Sequence, residues 1–99
     1  MNIVYLSHGD DEWNYQTLLK TVEYVLRNCD YESRYMALSI AGWAYRKGPL
    51  HPDYMISYIN CIKSVLLKMQ PGSELYSQIE SLLWVIEKAY SLNEILYFI

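Results

Sequence analysis

The chain has 99 residues, 53% apolar and 19% charged, with a formal net charge of −3. Such a length and composition suit one folded domain and exclude a disordered tail. An acidic chain with eight scattered basic residues is a poor nucleic-acid binder, because that binding needs a basic stripe to displace counterions. No window approaches the roughly 18 uninterrupted apolar residues of a membrane span.

The opening residues, MNIVYLSHGDDE, have neither the basic start nor the apolar run of a secretion signal. Residues 1–6 are apolar and fit either a strand or a first helical turn, and Ser7, His8 and Gly9 break the run. Asp10, Asp11 and Glu12 then complement the positive end of a helix predicted over residues 11–28, with Asp10 as its N-cap. Its apolar face is Tyr15, Leu18, Leu19, Val22, Val25 and Leu26. Glu23 and Arg27 form an i, i+4 pair in the favoured orientation.

A second helix is predicted over residues 31–47, capped by Asp30 and stopped by Gly48 and Pro49. MALSIAGWAY is apolar nearly all round, the pattern of a central helix. Ala37, Ala41 and Ala44 form a small-residue stripe, and Gly42 beside it marks an expected close helix contact. His51 is a possible N-cap and Pro52 a favoured first residue for a third helix ending at Met69. Met55, Ile56, Ile59, Ile62, Val65, Leu66 and Met69 make its predicted buried stripe. Ser73 caps a fourth helix that runs to about Tyr90 and buries Leu75, Ile79, Leu82, Leu83, Ile86 and Ala89. Ser91 and Glu94 match a capping box, which predicts a short docked helix over residues 91–99.

The pattern repeats. Tyr15, Leu19, Val22, Val25, Leu26 and Cys29 align with Met55, Ile59, Ile62, Val65, Leu66 and Met69 at a spacing of about 40, the length of a helical-repeat unit. At a spacing of about 41, Tyr35, Leu38, Trp43 and Lys47 align with Tyr76, Ile79, Trp84 and Lys88. The expected fold is therefore all-α: one domain over residues 1–99, built from two antiparallel helical hairpins of about 40 residues, HEAT-like or a four-helix bundle. The hairpins cover 11–47 and 52–90, and a short C-terminal helix completes the domain. Cys29 and Cys61 lack metal-site spacing. They read as reduced, mostly buried thiols, as in a cytoplasmic protein.

No catalytic set is visible. His8 with Asp10 and Asp11, and His51 with Asp53, both lie at helix starts, where caps belong, and neither makes the four ligands of a structural zinc. There is no nucleophile elbow, triad pattern or phosphate loop. Eleven tyrosines and three tryptophans remain to be explained, because such residues carry interface hot spots. Trp84 has Glu80, Ser81, Glu87 and Lys88 at ±3 and ±4. Either the C-terminal ILYFI segment covers it, or it is exposed and anchors a partner. Trp13 stands beside Asp10, Asp11 and Glu12, and an aromatic among carboxylates can mimic the stacking surface and charge of a nucleic acid.

The GDDEW opening, the Trp43 and Trp84 hairpins and the negative charge give a build that resembles the helical immunity proteins of contact-dependent and polymorphic bacterial toxin systems. The resemblance implies a non-enzymatic inhibitor without a cofactor. It would form a one-to-one complex with a cognate toxin domain, often a nuclease whose basic active site is covered by acidic and aromatic residues. Asp10, Asp11, Glu12, Trp13, Glu80, Trp84 and Glu87 are the candidate partner-binding residues. Two alternatives share the composition: a phage or mobile-element inhibitor of a defence complex, and a helical structural subunit that forms a homodimer through Trp84.

Overall fold

The computed structural model of the chain describes residues 3–6, 15–29, 34–46 and 48–98. In chain order the elements are β1 (Ile3–Leu6), α1 (Tyr15–Asn28), α2 (Arg34–Arg46), α3 (Pro52–Lys68), α4 (Glu74–Ser91) and β2 (Ile95–Phe98). The described part is mostly helical, and the start signals of its two long helices act as the sequence dictates. His51 is the extended N-cap of α3 and Pro52 its first residue. The Ser73 hydroxyl caps α4 by accepting the Tyr76 N–H at 3.0 Å. Before it, Gly72 turns the chain at φ 104°, a conformation that side chains with a Cβ resist. On α1 the Arg27 guanidinium pairs with the Glu23 carboxylate.

Apolar stripes of all four helices meet in one core. Leu18, Val22 and Val25 of α1 and Ile40, Trp43 and Ala44 of α2 are fully buried. Met55, Tyr58, Ile62, Ile79, Leu82 and Ile86 join them from α3 and α4. Burying one such aliphatic side chain contributes roughly 1.5–3 kcal/mol. The spacing seen between α1 and α3 reappears in burial. Val22 and Ile62 are buried, as are Val25 and Val65, while Leu26 and Leu66 are both half-buried.

The hub is α3. It packs on α4 most extensively and touches α1 and α2 as well. Its inner face is turned relative to the predicted stripe, with Tyr58 and Cys61 buried and Ile56 42% exposed. Gly42 makes no close helix contact, since a Cβ there would meet nothing within 4 Å. The tight approach is at Gly48, whose N–H donates to the Gly42 carbonyl at 3.1 Å and whose added Cβ would lie 3.3 Å from that oxygen.

The predicted C-terminal helix is a strand. Helix α4 closes in a Schellman arrangement: the Glu94 N–H donates to the Ala89 carbonyl at 2.9 Å and the Asn93 N–H to that of Tyr90 at 3.0 Å. Asn93 takes the left-handed conformation this requires, at φ 53°. Ser91 does not begin a helix. It is the last residue of α4, and its hydroxyl donates to the Lys88 carbonyl at 2.8 Å. Beyond the turn β2 pairs in parallel with β1, Ile3 beside Ile95 through Leu6 beside Phe98. Leu96 also exchanges two backbone hydrogen bonds with Leu50, at 2.9 and 3.0 Å. Thus β2 lies between β1 and the 48–51 connection, with Leu50 and Leu96 both fully buried. The apolar content that suggested a docked helix serves a strand equally well, because β-branched and aromatic residues fit a pleated surface.

The cysteines are not reduced thiols. Cys29, just past α1, and Cys61, within α3, are joined by a disulfide, with Cα atoms 5.3 Å apart. Two residues 32 positions apart in sequence meet because α1 packs on α3, a proximity invisible in their spacing.

Candidate functional site

Most of the exposed large apolar residues among the described ones lie on α3 and α4, with Tyr45 on α2 and Leu92 just past α4. Helical spacing places Trp84, Glu87, Lys88 and Ser91 on one face of α4, with Glu80 a turn before. On α3 the outward positions are Ile56, Asn60, Lys63 and Leu67. Trp84 is 61% exposed and Leu67 88%. No strand covers the tryptophan, since β2 runs instead between β1 and the 48–51 connection. Trp43, its match at the 41-residue spacing, is fully buried.

The Lys63 ammonium approaches the Glu87 carboxylate to 3.5 Å across the two helices. Beside this pair lies an open groove of about 580 Å³, bordered by Ile56, Asn60, Lys63, Glu87, Lys88 and Tyr90. The surface therefore combines aromatic and aliphatic groups with both signs of charge. A face of this kind can bury rings against a partner and orient it by rim charges.

Of the residues predicted to bind a partner, Glu80, Trp84 and Glu87 fall on this face. Asp10, Asp11, Glu12 and Trp13 lie outside the described residues. Sequence reasoning missed Lys63, Leu67, Ile56 and Tyr90. Leu67 could have been found, because it falls off the predicted apolar stripe of its helix. The Lys63–Glu87 pair could not, because it joins residues of different helices.

Comparison with protein-family models, curated proteins and solved structures finds no match to this chain. The geometry of the chain alone must carry the functional reading.

Two smaller hollows are less suited to a partner. One, of about 270 Å³, is bordered by Gly42, Arg46, His51 and Tyr54. The other, of about 320 Å³, lies between Thr17 and Lys20 of α1 and Glu74 and Gln78 of α4. Among the described residues no three His, Cys, Asp or Glu side chains come together as metal ligands. Likewise no helix there is long and apolar enough to cross a membrane. Among the described residues the strongly perturbed phenol is Tyr58, which is far from solvent. Burial pushes its hydroxyl well above the ordinary tyrosine range, and nearby Tyr45 adds to the effect.

Proposed function

We propose that this chain is an immunity-type inhibitor that acts by binding a cognate toxin domain, a nuclease by preference, and not by turnover. The observation that carries the reading is Trp84, 61% exposed on a helix face that also bears Glu80 and Glu87. Tryptophan is among the residue types most enriched at the hot spots of protein interfaces. In this reading α1 with α2 and α3 with α4 act as two packed hairpins, a short HEAT-like or bundle scaffold. Asp10, Asp11, Glu12 and Trp13 are proposed as further contacts to the partner's basic active site. The working compartment is the cytoplasm, where a disulfide is transient or redox-sensing rather than a permanent staple.

The test is binding to the product of the adjacent gene. Trp84→Ala should weaken that complex at least about tenfold, the scale of a hot-spot residue, with unchanged folding by circular dichroism. Reversing the charges of Asp10, Asp11 and Glu12 should slow association and reduce its salt dependence. Unaltered affinity in both variants would refute the assignment.

One observation favours a second reading, a homodimer. The α3–α4 face carries Lys63 and Lys88 beside Glu80 and Glu87, and a face of mixed sign can complement itself across a two-fold axis. Sedimentation decides this. A monomer at micromolar concentration excludes the dimer, and a dimer abolished by Trp84→Ala supports it.

A further inference from the structure

We propose that Cys29 and Cys61 form a reversible thiol–disulfide exchange site, in which Cys29 is the sulfur open to attack and Cys61 the resolving one. Its reagent is a small thiol or disulfide of the glutathione class. The proposal holds whatever the α4 face binds.

Three observations carry it. First, the two residues differ in access. Cys61 is 1% exposed in the core, while Cys29, one residue beyond the end of α1, is half-buried. Of the two residues Cys29 is the more open, and access decides which sulfur of a disulfide is attacked. Second, the fold has a place for the reduced state. Cys61 Sγ lies 3.9 Å from the Val25 carbonyl oxygen, so a thiol there has a weak acceptor, and its neighbours are apolar, as free cysteine prefers. Both cysteines belong to or pack against the main core cluster, so opening the bond leaves two well-housed small groups. Third, α1 and α3 also pack on each other in the core, so helix packing as well as the bond keeps the two cysteines near one another.

The chemistry balances as two exchanges. For oxidation, the Cys29 thiolate attacks one sulfur of oxidised glutathione, the glutathione S–S bond breaks, and one glutathione thiolate leaves. The Cys61 thiolate then attacks Cys29 Sγ, displacing the second glutathione and forming the intramolecular bond. Overall two protein thiols and one small disulfide become one protein disulfide and two small thiols. Reduction runs the same path backwards. A glutathione thiolate attacks Cys29 Sγ, Cys61 leaves and takes up a proton, and a second glutathione releases Cys29. The chain contains two cysteines in all, so no reshuffling competes.

The distinguishing experiment uses oxidised glutathione and intact-mass measurement. Cys61→Ser removes the resolving sulfur and should trap one glutathione on Cys29. Cys29→Ser should react at least about tenfold more slowly while folded, as expected for a buried thiol, and should accept glutathione readily in denaturant. The reduced natural sequence should return to the disulfide with no adduct retained. A second measurement needs no variant: limiting iodoacetamide on the reduced chain should label Cys29 ahead of Cys61 on peptide mapping. Equal labelling of the two cysteines, equal reaction of the two variants, or a stable adduct on the natural sequence would each overturn the proposal.

Discussion

The Tyr58 hydroxyl is fully buried and has no hydrogen-bond partner among the described residues. A buried polar group left unpaired costs about 1–3 kcal/mol, so Tyr58→Phe should leave the chain as stable or more stable, by up to about 1 kcal/mol in denaturant titration. The same burial couples this phenol to folding. Its folded-state pKa is raised, while the unfolded chain ionises it near pH ~10. The stability linked to it is therefore fully present below pH ~10 and is lost as pH rises further. Ultraviolet titration should show one tyrosine that ionises only as the chain unfolds. Trp84 is the opposite case. With 61% of it exposed, its removal should change stability by no more than about 0.5 kcal/mol, which makes Trp84→Ala a clean probe of binding. Trp43 and Trp84 look equivalent at the 41-residue spacing, yet one is buried and one exposed. The polar neighbours Glu80, Ser81, Glu87 and Lys88 left Trp84 open between covered and exposed, whereas Trp43 follows an apolar run; the path of β2 decides the case.

At the scale of elements, local signals were legible and distant ones were not. Pro52 and Ser73 start α3 and α4 where expected, because a cap acts on its own first turn. Replacing Ser73 with Ala should cost about 1 kcal/mol, read by thermal melting. The end of α4 near Tyr90 was legible, but the segment beyond it reads as a helix because Ser91 and Glu94 imitate a helix start and Asn93, not a glycine, supplies the left-handed residue. Strand β2 depended on β1 and on Leu50, partners that no short window contains. The joint burial of Leu50 and Leu96 gives the strand its energetic weight. Leu96→Ala should destabilise the fold by about 2–5 kcal/mol in denaturant, the range for a fully buried leucine. A milder change would mean that the docking of β2 is peripheral. As for the site, Trp84 with its acidic neighbours could be read along one helix, while Lys63 joins the face only once α3 lies against α4.

For the whole molecule, two ties act on different parts of the chain. The disulfide closes a loop across 32 residues, which the chain-entropy treatment values at about 3–4 kcal/mol. Reduction by dithiothreitol should lower the denaturation free energy by up to that amount without unfolding the chain, since α3 still holds α1, α2 and α4 by packing. The second tie is the pairing of β1 with β2, which joins segments separated by nearly the whole chain. Contacts of such long range form late, because the intervening loop must be closed first. As the protein is synthesised, Ile3–Leu6 emerges long before Ile95–Phe98 exists to complete its ladder. Until translation reaches that point, the unpaired N–H and C=O groups of Ile3–Leu6 stand open to any other strand they meet.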